Sequence, residues 1–223
     1  MTTDHEDEIA EQERGTLRFT RRGRRVKRGS RSPLCRQNMS KEIEKAIRAD
    51  DWIAARALIR TALKSEPHSH WLMTRLGLTY YEQRQYRRAL HYSEKAVSLA
   101  PSCPLVLWDY AGDLDMLERT DEAVRVYRRL INRGVERIAV ERCGEGKAWA
   151  RGLIADCHFR LASCLMDKGQ FKKAGESLDR HVALRGRGCR TIYGMKDVRK
   201  KMRELKTKMH NQKLQATPLP LRA

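Results

Sequence analysis

The sequence predicts an all-α protein built from paired helices, and three observations support that prediction. From about residue 39 the apolar residues recur at helical spacing, with almost no strand-like alternation. Prolines and glycines, among them Pro67, Pro101, Gly134 and Gly169, divide this region into segments of about 12 to 16 residues. Pairs of these segments recur with a period of 34 residues, which is typical of a repeat made of two helices.

The composition narrows the class of protein further. Of the 223 residues, 40% are hydrophobic and 34% are charged, and the net charge is +19. No apolar run approaches the roughly 18 residues of a membrane-spanning helix, and the first residues contain no apolar stretch of the secretory kind, so we expect neither a membrane span nor a secreted protein. Six cysteines are too few for a disulfide scaffold, so a reduced, cytoplasmic protein is expected.

The clearest of the repeats begins near residue 70. Its pattern combines large and small residues at fixed spacing, at Met73, Leu76, Gly77, Tyr80, Ala89, Ala96 and Pro101. Small residues such as Ala89 let two helices approach closely, and large ones such as Tyr80 fill the space beside them. Equivalent positions recur 34 residues earlier and later, and again from His158 after an interruption. One pair of helices cannot bury its apolar face alone, so several pairs are expected to stack.

This pattern resembles the tetratricopeptide repeat, although Met73 stands where that family has tryptophan and Ser93 where it has phenylalanine. The resemblance covers four units, at about residues 36–69, 70–103, 104–137 and 155–188. It implies a right-handed α-solenoid of helix-turn-helix repeats, and such a stack needs a polar cap at its end. We therefore expect an all-α solenoid of about four repeats closed by a C-terminal capping helix.

The segments outside the repeats differ from them in composition. Residues 1–35 form an acidic and then basic arm that can bury almost nothing, so we expect the arm to be disordered when alone. An insertion loop at 138–150 interrupts the period within the repeat domain, 36–188. An apolar stripe that includes Val198 and Leu205 predicts a basic capping helix within 189–213, followed by a flexible tail at 214–223.

No catalytic, metal or cofactor site is predicted. His68 and His70 could offer two metal-binding nitrogens, but no thiol or carboxylate follows at ligand spacing, and surface histidines in a turn are the simpler interpretation. The cysteines contain no C-x-x-C pair, which argues strongly against zinc. The run from Cys143 to Lys147 has two glycines but lacks the full phosphate-loop pattern, so it is interpreted as an insertion loop and a weak binding candidate.

The family resemblance implies that the first helix of each unit lines a concave groove that binds peptides or helices. An aromatic and apolar set flanked by two arginines falls on this face: Trp71, Arg75, Leu78, Tyr81, Trp108, Phe159 and Arg160. Aromatic residues and arginine are the usual anchors of an interface, and the two arginines would pair with acidic flanks of the partner. The alternative for Trp71 and Trp108 is that they pack between repeats. The Lys/Asn/Lys/Arg set that holds a chaperone tail is missing, so that partner is disfavoured.

A second surface is strongly basic. From Arg185 to Lys213 there are eleven Lys or Arg residues against two acidic ones. Together with the arm this predicts contact with nucleic acid or another polyanion, through Arg21, Arg22, Arg24, Arg25, Arg199, Lys200, Lys201 and Arg203. No RNA-recognition motif or helix-turn-helix signature accompanies the charge, so sequence-specific reading is not expected. The preferred hypothesis is a non-catalytic scaffold that binds a protein in its groove, and the alternative is a polyanion-associated protein.

Overall fold

A computed structural model describes residues 33–186 and 189–216 of the chain, with side chains for 38–186 and 189–212. All regular structure in these residues is helical, which confirms the predicted all-α solenoid. The nine described helices are α1 (Pro33–Arg48), α2 (Trp52–Leu63), α3 (His70–Glu82), α4 (Tyr86–Leu99), α5 (Pro104–Met116), α6 (Thr120–Val140), α7 (Lys147–Asp167), α8 (Phe171–Leu184) and α9 (Met195–Ala216). The predictions for the basic arm, including Arg21, Arg22, Arg24 and Arg25, lie outside the described residues.

Successive helices pack against each other along the whole stack. The pairs α1/α2, α3/α4, α5/α6 and α7/α8 form hairpins, and the second helix of each pair also packs on the first helix of the next. In addition α3 contacts α5, so the first helices of these two units lie side by side. At the far end α9 packs on α8 and α7 and buries Val198 and Leu205, while most of the charged residues around them remain exposed.

The 34-residue period is visible in the backbone as well as in the sequence. The turn between the two helices of a hairpin contains a left-handed residue, which is Asp50, Arg84 and then Glu118, with φ of 55°, 58° and 60°. These positions are 34 residues apart. The fourth hairpin has Gly169 at this place, with φ of 68°. Glycine is the residue best suited to this conformation, because it has no Cβ to clash with the following carbonyl oxygen.

The interruption before the fourth unit is mostly helical. The loop expected at 138–150 is reduced to residues 141–146, because α6 continues past a kink at Gly134 to Val140 and α7 begins at Lys147. Burial of Ile138 and Ala139 explains why the helix resumes after the kink. Both α6 and α7 are 21 residues long, against 12 to 16 for the five helices before them. The extra length of α7 allows it to reach the segment between α8 and α9.

Local signals account for several helix starts. The Asp51 carboxylate accepts a hydrogen bond from the Ala54 amide at 2.9 Å, which caps α2. Ser69 caps α3 through the Leu72 amide, and Pro104 occupies the first turn of α5, where no amide hydrogen is needed. These caps fix where α3 and α5 begin, and therefore which of their residues face the concave side.

Candidate partner-binding groove

A cavity of about 190 Å³ lies on the concave side of the second and third units. Helices α3 and α5 form its floor, α7 contributes Arg160, and the segment between α8 and α9 covers one end. We call this space the groove cavity. Four of the predicted partner-binding residues line it, namely Leu78, Tyr81, Trp108 and Arg160.

The walls of the groove cavity are mainly aromatic. Trp108 is half-buried and lies edge-on to the buried ring of Tyr127, with centroids 5.9 Å apart. Tyr81, also half-buried, packs edge-on against Tyr86 at 5.4 Å. Trp108 was expected either to face the groove or to pack between repeats, and the structure shows both in part. One edge of the indole packs on the core, and the ring also faces the groove cavity.

Two carboxyl groups lie at the floor of the groove cavity. Asp109 and Asp113 are one helical turn apart on α5. Asp113 is 3% exposed, and Oδ2 of Asp109 is buried without a hydrogen-bond partner among the described residues. Burial raises the pKa of each carboxyl to about 7, against the opposing effects of Arg75 on Asp109 and of the Ser93 hydroxyl on Asp113. A cation entering the cavity would favour their ionised forms.

Arg160 is already committed within the chain. Its guanidinium lies 2.7 Å from the Asp115 carboxylate and donates hydrogen bonds to the hydroxyls of Tyr127, at 3.3 Å, and Tyr193, at 3.5 Å. The expectation that Arg160 pairs with an acidic flank of the partner is therefore corrected: its charge is neutralised by Asp115. Its role in this structure is to join α5, α7 and the segment that follows α8.

That segment, Cys189–Gly194, is named the strap here. The Asp156 carboxylate accepts hydrogen bonds from the strap amides of Ile192, at 2.8 Å, and Tyr193, at 3.4 Å. A Cβ at Gly152 would overlap the carbonyl oxygen of Arg190, so the strap backbone lies directly against α7 at that position. Ile192 and Tyr193 thereby become part of the groove cavity.

The strap also changes the assignment of Phe159. The Tyr193 ring stacks on the Phe159 ring, with centroids 4.1 Å apart, and Phe159 is only 5% exposed. Phe159 was predicted to be an anchor for the partner, and this prediction is corrected because the chain's own tyrosine occupies that face. No signal in the repeat pattern identifies Tyr193, since it lies outside the repeats.

Trp71 and Arg75 lie at a different cavity from the other predicted groove residues. This second cavity, of about 290 Å³, is enclosed by the start of α3, the start of α5 and the loop 141–146. The Arg75 guanidinium lies over the Trp71 ring, 5.4 Å from its centroid, and pairs with Glu44 at 2.6 Å. Arg75, like Arg160, is therefore not available for the acidic flank that the sequence analysis expected.

The second cavity also contains side chains that the sequence analysis did not group. His70, Cys103 and Cys143 all line it, although no pattern in the sequence relates them to one another. Burial, with a hydrogen bond to Cys103, raises the pKa of Cys143 to about 11, so this side chain is a thiol at neutral pH.

The predicted polyanion surface maps onto α9 within the described residues. Arg199, Lys200 and Arg203 are exposed there. Lys201 is half-buried and pairs with Glu204 at 3.0 Å. Lys208 reaches back to Asp167 of α7 at 3.1 Å. Three of the four predicted α9 cations therefore face solvent, and the fourth is engaged within the helix.

The repeat pattern can now be compared with known proteins. Residues 74–137, which contain most of the groove cavity floor, match the tetratricopeptide-repeat family. The chain has the tetratricopeptide-repeat fold. The recurring hairpins and the left-handed turn residues at 34-residue spacing agree with this assignment.

Solved structures with the same fold extend over most of this tetratricopeptide-repeat protein. MamA 41-end from Desulfovibrio magneticus RS-1 has a TM-score of 0.55 and 13% identity, with 81% of this chain and 97% of that chain covered. The apo form of RapI has a TM-score of 0.62 and 14% identity, with 80% of this chain and 65% of that chain covered. At such low identity the likeness concerns the fold alone. No curated protein sequence matches this chain.

The helices of this tetratricopeptide-repeat protein were also compared with the requirements of a membrane span. Among the helices that the structure describes, none combines the length and the apolar character needed to cross a lipid bilayer.

Proposed function

We propose that this tetratricopeptide-repeat protein is a non-catalytic scaffold that binds a partner polypeptide in the groove cavity. The partner segment is apolar and carries one lysine or arginine side chain, which enters the cavity between the aromatic walls and approaches the two floor carboxyl groups. The observation that carries the proposal is the pairing of half-buried aromatic rings with Asp109 and Asp113, a carboxyl pair that is largely withdrawn from water.

The chemistry of the lining favours a cation over an anion. Both arginines near the groove are engaged by Glu44 and Asp115, while Oδ2 of Asp109 has no hydrogen-bond partner among the described residues. An ammonium or guanidinium group is attracted both by carboxylates and by the faces of aromatic rings such as Trp108. A cation in the groove cavity thus supplies the interaction that the floor carboxyl groups lack among the described residues.

At long range, the net charge of +19 repels a cationic partner segment and so opposes this local attraction. At physiological salt, however, charges are screened over about 8 Å, whereas a cation inside the cavity lies in direct contact with the carboxyl groups. The association rate is therefore expected to be low at low salt. Once formed, the complex is held by short-range contacts.

The lining supports binding rather than covalent chemistry. Among the described residues around the groove cavity there is no histidine, cysteine or lysine. Its single serine hydroxyl, on Ser93, donates a hydrogen bond to the Leu90 carbonyl oxygen at 3.0 Å.

Substitutions at Gly112 test the proposal without removing any contact. Gly112 lines the groove cavity, and a Cβ there would lie 3.9 Å from the Tyr81 ring, which is ordinary contact. Gly112→Leu is expected to fill the cavity, and Gly112→Ala is the matched control that leaves it open. Displayed random peptides are selected on the wild-type protein, and the selected peptides are then measured against both variants by titration calorimetry.

The expected result is a consensus of apolar residues around one lysine or arginine, with affinity retained by Gly112→Ala and reduced at least about 30-fold by Gly112→Leu, the effect of losing one strong anchor. Replacing the consensus cation by glutamate should have a similar effect. An acidic consensus, or equal binding to Gly112→Ala and Gly112→Leu, would refute the groove cavity as the binding site.

Polyanion binding by α9 is a second candidate function, favoured by the exposure of Arg199, Lys200 and Arg203 on one helix. Its test is the salt dependence of binding to a single-stranded RNA oligonucleotide, since each neutralised phosphate releases counterions. Reversing these three charges should lower the slope of log K against log salt by about 2. Reversal of the exposed Arg87, Arg125 and Arg128 is the control, and an equal change in both variants would contradict a role specific to α9.

A further inference from the structure

We propose that His70, Cys103 and Cys143 form a zinc-binding site at the second cavity, separate from the groove cavity. One nitrogen of His70 and the two sulfur atoms all lie within 4.8 Å of one another. Sγ of Cys143 is 3.4 Å from Nε2 of His70, although the two residues are 73 positions apart in the chain. The sequence alone predicts no metal ligands, because this set is assembled only by the tertiary fold.

The distances suit one tetrahedral zinc ion. Zinc binds thiolate sulfur at about 2.3 Å and imidazole nitrogen at about 2.0–2.1 Å, so a sulfur and a nitrogen on the same ion lie about 3.5 Å apart. The separation of 3.4 Å between Cys143 and His70 is close to this value. The remaining separations between ligand atoms are each within 4.8 Å.

Two of the ligands are held by helix starts. His70 is the first residue of α3, directly after the capping residue Ser69. Cys103 immediately precedes α5, is 5% exposed, and belongs to a small apolar cluster with Ala96 and Val106. Both side chains therefore have fixed positions at neighbouring ends of two packed helices.

The third ligand is held by the folded-back loop 141–146. A Cβ at Gly144 would overlap the Ile138 carbonyl oxygen, so the loop lies directly against the end of α6. Its first residue, Glu141, pairs with Arg133 and also lies 3.5 Å from Arg137. These contacts hold Cys143 over the other two ligands, which gives the insertion between the third and fourth units a structural role.

The charge and chemical type of the ligands favour zinc. On binding, the two thiols release their protons to the solvent, and the resulting thiolates balance the charge of the divalent ion, so the complex does not add charge beside Arg75 and Arg142, which also line the cavity. Thiolate and imidazole together are preferred by zinc over magnesium or calcium, which take oxygen ligands. The fourth position opens onto the cavity, where water and the carboxylate of Glu145 are oxygen donors.

The ligand set also predicts what the ion does. It links the start of α3, the start of α5 and the loop before α7. Because the ion binds the folded chain, it adds stability that depends on its free concentration. The ion in the second cavity thus acts as a structural cross-link between successive repeats.

The test is zinc binding by the full chain, purified with a reductant and measured by competition with a chromophoric chelator. One ion per chain is expected, and Co²⁺ in its place should show thiolate-to-metal absorption. His70→Ala, Cys103→Ser and Cys143→Ser should each weaken zinc at least about 10-fold. His68→Ala and Cys189→Ser are the matched controls, since both residues lie outside the second cavity, and they should bind as the wild type does.

A second measurement guards against variants that fail to fold. Thermal unfolding of the wild type should shift upward when zinc is added after chelation, and this shift should be absent in a folded Cys143→Ser protein. The proposal is overturned by sub-stoichiometric zinc in the wild type, or by unchanged affinity in the three ligand variants. It is also overturned if mass spectrometry shows a Cys103–Cys143 disulfide in protein prepared with the reductant.

Discussion

The ring of Tyr193 lies flat on the ring of Phe159, with centroids 4.1 Å apart and planes inclined by 15°. Phe159 is on α7, a first helix of the repeat stack, and Tyr193 is on the strap that follows the last hairpin. The strap thus occupies the part of the concave face that belongs to the fourth unit. The groove cavity is lined mainly by residues of the second and third units, and the strap residues Ile192 and Tyr193 form one end of it.

The close approach of the strap to Gly152 leads to the first prediction. Gly152→Ala should push the strap away from α7, because the added Cβ would overlap the Arg190 carbonyl oxygen. Tryptic cleavage after Arg190 should then become faster, although alanine normally stabilises a helix interior by about 0.5–1 kcal/mol. Gly175→Ala on α8 is the control, since its Cβ would meet only the Leu205 side chain at 3.6 Å. Equal cleavage in both variants would show that the strap is not held at Gly152.

The aromatic walls of the groove cavity lead to the second prediction. The double variant Trp108→Ala with Tyr81→Ala should lose binding of a groove peptide by at least about 30-fold, because interface aromatics carry much of the binding free energy. Circular dichroism should show the helix content of the wild type. Trp52→Ala, on α2 and outside the cavity, controls for loss of a half-buried tryptophan. Undiminished binding by the double variant would remove the walls from the binding site.

The floor carboxyls lead to a prediction about pH. The pKa of Asp109 and of Asp113 rises from the usual 3.8 to about 7 on folding, so the native state binds more protons between about pH 4 and pH 7. The contribution of these bound protons to the free energy of unfolding is fully present below pH 4 and is lost as the pH rises through 7. At pH 8 the free energy of unfolding of Asp109→Asn and of Asp113→Asn should therefore exceed that of the wild type by about 1–3 kcal/mol.

Urea unfolding between pH 5 and pH 8 measures this difference. The exposed Asp179→Asn variant should retain the pH dependence of the wild type. A difference between the Asn variants and the wild type that does not grow over this range would contradict the raised pKa values. If the groove binds a cation, peptide affinity should increase over the same range, with release of protons into the buffer.

The left-handed turn residues lead to a reciprocal prediction. Glu118 and Gly169 occupy the same place in successive hairpins, with φ of 60° and 68°. Glu118→Gly should raise the free energy of unfolding by about 0.5–1 kcal/mol, because the left-handed conformation costs non-glycine residues about 1–2 kcal/mol and glycine loses part of that gain in entropy. Gly169→Ala should lower it by about 1 kcal/mol. Scanning calorimetry should show shifts of about 2–4 °C in opposite directions, and shifts of the same sign would contradict equivalence of the two turns.

The sequence by itself determined the repeat architecture. The spacing of Leu76, Tyr80 and Ala89 specifies helices that pack in pairs, and those interactions are local enough to be encoded in a 34-residue period. Helix starts at Asp51 and Ser69 were equally local. The groove face of α5 followed from the same helical spacing, and Asp109 and Asp113 could have been noted beside Trp108 because residues four apart share a face.

Only the tertiary structure decided which parts of that face remain open and which side chains meet across the stack. Tyr193 covers Phe159 because the strap backbone fits against Gly152, a relationship between segments with no shared period. Asp115 of the third unit neutralises Arg160 of the fourth, so Arg160 does not attract an acidic partner as expected. His70, Cys103 and Cys143 meet through the fold-back of one short loop. Periodic patterns fix how each repeat is built, whereas contacts between distant segments depend on close approaches that no local pattern records.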